Sequence, residues 1–189
     1  MAPATADPWS DDVVARLADR VRAAPARAGA TVVVALDGPS GSGKSFLAQS
    51  LSAALGSTSV LRLDDVYPGW DGLDETPGRV VEWVLEPLSR GAPATYRPYD
   101  WAAGRYGDVR VLASAPTLLV EGCGSGARAC APYLGLLVWV DAPVDVRRAR
   151  ALARDGETYR PHWERWARQE AVHFAREATK ERADVRLET

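Results

Sequence analysis

The chain has 189 residues, of which 47% are hydrophobic, which predicts one globular domain over residues 1–189 with a sizeable core. Its net charge of −2 supplies no basic field for nucleic acid or an anionic membrane, and its two cysteines make no metal or disulfide framework. Residues 1–7 lack the features of a signal peptide, and the longest apolar stretch, 134–140, is far below the ~20 residues that cross a bilayer. We therefore expect a cytoplasmic protein that binds neither nucleic acid nor membrane, with its oligomeric state left open.

Apolar periodicity predicts alternating helices and strands along the chain. A helix over about residues 10–24 comes first, and the domain core follows over about 31–187. The predicted strands are 31–36, 59–63, 117–121, 136–141 and 185–187. The later predicted helices are 46–55, one that opens at Thr76-Pro77, and two over about 143–154 and 161–182, while 91–112 is irregular with room for one hairpin. This alternation indicates an α/β fold, a parallel five-stranded sheet with helices on both faces.

The most informative motif lies between the first strand and the helix that follows it. It reads Gly-x-x-x-x-Gly-Lys-Ser over residues 38–45, the P-loop pattern. Its glycines let backbone N–H groups turn toward phosphate oxygens, and the helix adds the positive end of its dipole. A glycine-rich turn before an ordinary helix is the plain alternative, which the complete motif in this context disfavours. The residues expected to contact ATP are Gly38, Pro39, Ser40, Gly41, Ser42, Gly43, Lys44, Ser45 and Phe46.

Two side chains of this motif have distinct expected roles. Lys44 is expected to reach the β- and γ-phosphates, and the Ser45 hydroxyl is expected to bind Mg²⁺. Among the 23 basic residues only Lys44 and Lys180 are lysine, so this position departs from a strong bias to arginine. The departure indicates a need for a compact ammonium group rather than a planar guanidinium.

Acidic residues follow the predicted strands, at the edge where a parallel sheet binds ligands. Asp64 is the candidate base for an attacking hydroxyl, and Asp65 is its rival because successive strand residues point to opposite faces. A solvated loop is the alternative for both. Glu121 ends the third strand, where a carboxylate supports Mg²⁺ beside Ser45. Asp141 ends the fourth strand just before a helix, so we expect it to be an N-cap.

Three arginines share one face of the helix predicted over 143–154. Arg147, Arg150 and Arg154 are spaced three and four residues apart, and Asp145 and Asp155 are the only acids nearby in the sequence. A salt-bridged surface face would therefore be poorly supplied with partners. We expect the arginine row to close over ATP phosphates, and a solvated basic face is the alternative.

Aromatic residues in the predicted loops and near the arginine helix are candidates for the wall of an acceptor pocket. They are Trp70, Tyr96, Tyr99, Trp101, Tyr106, Trp163 and Trp166. Trp83 and Trp139 fall in buried patterns, so we assign both to the core instead. His162 and His173 have no partner pattern and are expected to be ordinary surface or helix residues.

With these motifs in this order along the chain, residues from about 31 to 185 resemble the uridine kinase and phosphoribulokinase group of P-loop kinases. The segment from Asp64 to Tyr67 is similar to the family's Asp-x-Phe-Tyr, whose Asp is the catalytic base, and Tyr99-Asp100 resembles its acceptor-binding Tyr-Asp-Phe. Glu121-Gly122 resembles the family's Glu-Gly after the third strand. Arg147, Arg150 and Arg154 resemble its lid arginines, and residues 179–185 resemble its Thr-Lys-x-x-Ala-Asp-Val stretch. The resemblance implies a P-loop NTPase fold, ATP and Mg²⁺ as ligands, and acceptor contacts from Asp64, Tyr67, Tyr99, Asp100 and Arg105.

The chain departs from the uridine kinases at the position that reads the base. That family has His-x-Arg after Tyr-Asp-Phe, with the histidine on uracil, whereas Gly104-Arg105 stands in this region here. The lid, 155–160, is also short, and the loop over 64–75 differs from that of true uridine kinases. The resemblance therefore supports the type of reaction more strongly than the identity of the substrate. Uridine and cytidine are expected to be poor acceptors.

These observations predict a kinase that transfers the ATP γ-phosphate to a hydroxyl of a small metabolite. A nucleoside-monophosphate kinase is the runner-up; its acceptor phosphate would need arginines, and the available ones are Arg79, Arg97, Arg105 and Arg110. A non-catalytic ATP-binding regulatory module is the alternative from another class, but it would not need Asp64 beside the phosphates. A GTPase switch is disfavoured because its guanine motif needs asparagine, and the chain has none.

Overall fold

A computed structural model describes residues 8–189, so the expectation for residues 1–7 lies outside the described part of the chain. The strands are β1 (Val32–Asp37), β2 (Thr58–Arg62), β3 (Thr95–Tyr96), β4 (Tyr99–Asp100), β5 (Arg105–Tyr106), β6 (Arg110–Val111), β7 (Thr117–Glu121), β8 (Leu136–Asp141) and β9 (Val185–Glu188). The main sheet has five strands in the order β2-β7-β1-β8-β9, and every pairing in it is parallel. The predicted sheet is confirmed; β7 and β8 have the predicted bounds, β1 and β2 are each shifted by one residue at both ends, and β9 is one residue longer.

Helices cover both faces of the main sheet. They are α1 (Asp11–Arg22), α2 (Lys44–Leu55), α3 (Thr76–Val80), α4 (Glu86–Ser89), α5 (Val144–Tyr159), α6 (Trp163–Glu177) and α7 (Thr179–Arg182). A π-helical turn, Val81–Leu85, joins α3 to α4. No helix in the described part of the chain has both the length and the apolar character that a membrane crossing needs.

The alternation of side chains along β1 supplies two separate cores. Val33 and Ala35 pack on one side of the sheet with the apolar residues of α3, the π-helical turn and α6. Val34 and Leu36 pack on the other side with the inward faces of α1 and α2. The first core lies directly beneath the carboxyl ends of β1, β2 and β7. Burial on both faces therefore holds these strand ends in a fixed relation to each other.

Two predicted helices end elsewhere than expected. The helix predicted to end at about residue 154 extends to Tyr159 in α5, across a kink at Gly156, whose φ is 57°. The expected helix over 161–182 is broken at Ala178, which has a φ of 51°. No glycine or proline marks this break in the sequence. It redirects the chain so that the Asp184 carboxylate accepts a hydrogen bond from the Leu137 amide at 2.8 Å, beside the pairing of β9 with β8.

Three further predictions concern single residues and the irregular segment. Asp141 is not an N-cap, because the cap of α5 is Pro143 and the Asp141 carboxylate accepts from the Ala142 amide and the Trp139 indole instead. Trp139 is buried as predicted, whereas Trp83 is only half-buried against Tyr106. The segment over 91–112 forms two nested antiparallel pairs, β3 with β6 and β4 with β5.

Candidate active site

One cavity of about 570 Å³ opens at the carboxyl ends of β1, β2 and β7, which is a volume typical of small-ligand sites. Its wall combines P-loop residues with side chains from the segments after β2, β4 and β7 and from α5 and α6. The structure therefore brings together residues that are far apart in the sequence. The side of the wall formed by the P-loop is polar, and the opposite side is mostly aromatic.

The P-loop follows β1 and wraps tightly against the neighbouring elements. A Cβ atom on Gly38 would lie 2.0 Å from the Val140 carbonyl oxygen, and one on Gly41 would lie 2.1 Å from the Arg147 carbonyl oxygen. Both glycines have positive φ, 140° and 79°. Side chains at these two positions would push the loop off β8 and α5, so the loop conformation requires glycine at both.

The Lys44 side chain folds back against the start of the P-loop. Its ammonium donates to the carbonyl oxygens of Gly38 at 2.7 Å and Pro39 at 2.9 Å, and the Cys123 sulfur lies 4.0 Å away. The side chain is buried but still lines the cavity. The ammonium is thus held against the start of the loop, and it satisfies two carbonyl groups that burial would otherwise leave unpaired.

Asp37, which the sequence analysis missed, lies fully buried under the loop. Its carboxylate accepts hydrogen bonds from the backbone amides of Gly38 at 2.7 Å, Gly124 at 2.9 Å and Gly126 at 2.8 Å. Burial raises the pKa of this carboxyl group, and the three amides oppose the rise. Asp37 therefore ties the P-loop to the segment after β7. The signal in the sequence is an acid at the end of a buried strand, directly before the first motif glycine.

Glu170 of α6 is a second buried acid that sequence reasoning missed. Its Oε1 accepts from the Ser40 amide at 2.7 Å and from the Cys123 thiol at 3.1 Å, and its Oε2 lies 3.9 Å from Arg147 Nη1. Burial raises the pKa of the Cys123 thiol. An acid on the inward face of a helix that also buries Trp163 and Trp166 was the available signal.

Ser45 and Glu121 meet at the end of β7. The Ser45 hydroxyl donates to Glu121 Oε1 at 3.1 Å, and Arg62 Nε lies 3.9 Å from the same oxygen. Glu121 is buried, and this burial together with the nearby charge of Asp64 raises the pKa of its carboxyl group. Hydroxyl and carboxylate oxygens are the ligands that Mg²⁺ prefers, so this pair fits the expected metal position.

The two candidate bases after β2 have different surroundings. Leu63–Asp65 forms a 3₁₀ turn rather than a strand end, because β2 stops at Arg62. Asp64 is exposed and lines the cavity. Asp65 is half-buried outside the cavity, and burial and the charge of Asp64 raise the pKa of its carboxyl group. Of the two acids, the turn therefore directs Asp64 to the cavity.

The three arginines of α5 do not act as one row. Arg150 and Arg154 line the cavity, but Arg147 packs beneath the P-loop, donating to the carbonyl oxygens of Ala142 at 3.0 Å and Ser40 at 3.3 Å. The expected shortage of acid partners is wrong. Arg154 forms a bidentate pair with Asp155, which raises the pKa of Arg154, and Arg147 lies near two carboxylates. For Arg147, tertiary contacts supply Asp141 and Glu170, acids that the spacing along the helix could not reveal.

The aromatic side of the cavity centres on Trp70. Its ring stacks on Tyr159 at 5.3 Å and on His162 at 4.2 Å, and lies 4.7 Å from Trp101 and 6.4 Å from Trp166. Of the aromatic residues predicted for an acceptor wall, Trp70, Trp101 and Trp166 line the cavity, and Trp163 lies in the core outside it. Tyr159 also lines the cavity and was not predicted. Both histidines were expected to be ordinary surface or helix residues; His162 instead stacks on Trp70, whereas His173 is a buried residue of α6.

The residues assigned to the acceptor by resemblance are only partly at the cavity. Tyr67 lines it, with its buried hydroxyl donating to the Cys123 carbonyl oxygen at 2.9 Å. Tyr99, Asp100 and Arg105 lie outside the lining, as do Tyr96 and Tyr106 of the predicted wall. The ring of Tyr99 packs on its aromatic neighbours, Asp100 caps the turn amides of residues 102 and 103, and Arg105 is exposed. The β4–β5 hairpin instead presents Trp101.

Comparison with solved structures gives matches to two proteins described as a possible kinase and a candidate kinase. A possible uridine kinase from Bacillus stearothermophilus has a TM-score of 0.68 at 21% identity, over 93% of this chain and 97% of that one. A candidate fructose transport system kinase from Silicibacter sp. TM1040 has a TM-score of 0.56 at 21% identity, over 92% and 98%. The chain has the fold of the uridine kinase-like P-loop kinases. No protein-family model and no curated protein sequence matches it.

Proposed function

We propose that the protein is a kinase that transfers the γ-phosphate of ATP to a hydroxyl group of a small molecule. The observation that carries this proposal is the convergence of Lys44, Ser45 and Asp64 on one cavity. A phosphate loop, an oxygen donor for Mg²⁺ and an exposed carboxylate are the parts that phosphoryl transfer to an alcohol requires. Two solved structures described as kinases share this fold, which supports the assignment.

Several groups on the phosphate side would together neutralise the charge of the phosphates. The loop amides and Lys44 would surround the phosphates, and Arg150 and Arg154 would approach them from α5. Ser45 would bind Mg²⁺ directly, with Glu121 in support; the ion supplies charge stabilisation for the transferred group. Arg147 supports the loop from below instead of contacting the nucleotide.

Asp64 would act as the general base. Its carboxylate accepts the proton of the acceptor hydroxyl while the hydroxyl oxygen forms its bond to the γ-phosphorus. The bond between that phosphorus and the bridging oxygen of ADP breaks in the same step, and ADP leaves with the electron pair. The exposed position of Asp64 in the cavity fits this role better than the half-buried position of Asp65.

The placement of the arginines disfavours the nucleoside-monophosphate kinase alternative. Such an enzyme binds a second phosphate at the acceptor, but none of the four candidate arginines lines the cavity. Arg79 is paired with Glu75 and lies over the rings of Trp83 and Tyr106. A non-catalytic ATP-binding module gives no reason for a carboxylate at the position of Asp64.

ATP consumption in the presence of a panel of hydroxyl metabolites, scored against ATP alone, tests the proposal. We expect acceptor-dependent ADP release that requires Mg²⁺. Uridine and cytidine are expected to be poor acceptors, with kcat/KM below about 10⁴ M⁻¹s⁻¹, because a missing base contact costs orders of magnitude. ADP release that is equal with and without every acceptor would contradict the kinase assignment. Efficient uridine phosphorylation would contradict only the exclusion of uridine.

A further inference from the structure

Two adjacent residues of α6 reach the two sides of the cavity. Glu170 accepts the Ser40 amide of the P-loop at 2.7 Å. Its neighbour Gln169 donates from Nε2 to the Trp70 carbonyl oxygen, also at 2.7 Å. Trp70 belongs to residues 66–75, which we call the Trp70 loop and which contributes the central ring of the aromatic side. One helix thus holds a backbone group of each side, through side chains that are consecutive in the sequence.

The contacts at the P-loop hold the backbone of Ser40 on both sides of its Cα atom, through two successive peptide groups. Glu170 holds its N–H group, while Arg147 Nη1 donates to its carbonyl oxygen at 3.3 Å and lies 3.9 Å from Glu170 Oε2. Both side chains are largely buried, with exposed fractions of 12% for Arg147 and 5% for Glu170. Hydrogen bonds to buried charged groups are stronger than neutral ones, and breaking such a set leaves an uncompensated charge. The loop is therefore clamped at its second residue after Gly38.

The Trp70 loop has other contacts besides the one to Gln169: the Tyr67 hydroxyl donates to the Cys123 carbonyl oxygen, and the Val66 carbonyl oxygen accepts from the Tyr106 hydroxyl at 2.6 Å. Gly69 adopts a φ of 81°, and the loop continues for several residues without a helix or strand. The nearby pair of Arg165 with Asp71 is exposed, so we expect it to contribute little. Gln169 holds the main-chain oxygen of Trp70 itself, so it sets the position of the ring that contacts Tyr159, Trp101 and Trp166.

We propose that Glu170 and Gln169 are paired positioning residues, with Glu170 fixing the P-loop for the nucleotide and Gln169 fixing the Trp70 loop for the acceptor. This inference rests on the proposed function for the identity of the two ligands. Neither side chain needs to touch a reacting atom. Their effect passes through the backbone of Ser40 and the backbone of Trp70, and α6 carries both contacts.

Two conservative variants separate the roles. Glu170→Gln keeps the volume and an acceptor oxygen but removes the charge that faces Arg147. We expect faster amide hydrogen exchange in residues 38–45 and about a tenfold rise in the Kd of ADP–Mg by calorimetry, with residues 66–75 unchanged.

Gln169→Leu removes the donor at similar size. We expect faster exchange only in 66–75, an unchanged Kd for ADP–Mg, and about a fivefold rise in acceptor KM.

Arg168→Ala, at an exposed neighbour on the same helix, is the matched control and should change none of these quantities. A double variant of Glu170 and Arg147 should bind ADP–Mg no more weakly than the worse single variant, because both act on the backbone of one residue, Ser40. Equal exchange increases in both loops, or ADP–Mg affinity that is unaffected by Glu170→Gln, would overturn the inference. If the parent protein itself does not bind ADP–Mg, the proposed function fails, and the exchange measurements on the nucleotide-free protein still decide the positioning roles.

Discussion

The two sides of the cavity are built in different ways. The phosphate side is a short continuous segment, residues 38–45, held from beneath by the buried carboxylates of Asp37 and Glu170. The aromatic side is assembled from the Trp70 loop, the β4–β5 hairpin, α5 and α6. The first is fixed by hydrogen bonds to its own backbone, and the second by contacts between rings. The phosphate side is therefore specified locally, while the aromatic side depends on how four distant segments pack.

This difference has a functional meaning. Every ATP-dependent kinase must hold the same phosphates, so a rigid loop of fixed geometry serves that side. The acceptor differs from one kinase to another, and side chains on loops can change without disturbing the sheet. We expect variants on the phosphate side to alter nucleotide binding and the rate of transfer. Variants on the aromatic side should alter the use of the acceptor and leave the nucleotide affinity unchanged.

The largest effect is expected at the meeting point of the two sides. Asp64→Asn keeps the shape of the side chain and removes its ability to accept a proton. It should reduce kcat roughly 100- to 10,000-fold while ADP–Mg binding persists. Asp65→Asn is the matched control and should leave kcat within a few-fold, because Asp65 lies outside the cavity. Steady-state kinetics with an acceptor found in the panel check this. Loss of turnover in Asp65→Asn alone would show that the base is assigned one residue too early.

A large effect is also expected for Lys44→Ala on the phosphate side. Removing a charge aimed at the transferred phosphate should cost about 3 kcal/mol of transition-state stabilisation, or about 100-fold in kcat/KM. The change also leaves the carbonyl groups of Gly38 and Pro39 without their donor, which should lower the free energy of unfolding by about 1–3 kcal/mol. Lys180→Ala, at the other lysine of the chain, is the control. Equal ATP affinity and turnover in Lys44→Ala and the parent would contradict the phosphate-binding role.

How much of the site could be predicted from the sequence differs between the phosphate side and the aromatic side. The P-loop could be predicted because its chemistry resides in eight consecutive residues, and the sheet because strands and helices alternate. Trp101 could not be distinguished from Tyr99 as the wall residue, because the direction of side chains in a short hairpin depends on its packing. Arg147 could be placed on the face it shares with Arg150, but only the contact between α5 and the loop puts it beneath Ser40. Contacts across long sequence separations leave no local pattern.

The separation of the three α5 arginines gives the next prediction. Arg150→Ala and Arg154→Ala should each lower kcat about tenfold or more with a smaller change in ADP affinity, because both line the cavity, where they would face the phosphates of the proposed nucleotide. Arg147→Ala should mainly lower the free energy of unfolding, since it leaves Glu170 without its cationic partner. Kinetics and thermal unfolding of the three single variants test this. Changes within about 0.5 kcal/mol for both cavity arginines would show that they form a solvated surface face.

The smallest expected effect is on the aromatic side, at Trp101. Its indole N–H donates to the Asp64 carbonyl oxygen at 2.9 Å, and its ring is 39% exposed at the cavity wall. Trp101→Phe keeps an aromatic ring but loses this hydrogen bond, so the ring should move relative to the proposed base. We expect kcat/KM for the acceptor to fall about two- to tenfold, the usual range for one neutral hydrogen bond, with the Kd of ADP–Mg unchanged. Trp83→Phe is the control, because that ring packs on Tyr106 away from the cavity. A loss of ADP affinity as large as the loss of acceptor use would mean that the two sides of the cavity are not independent.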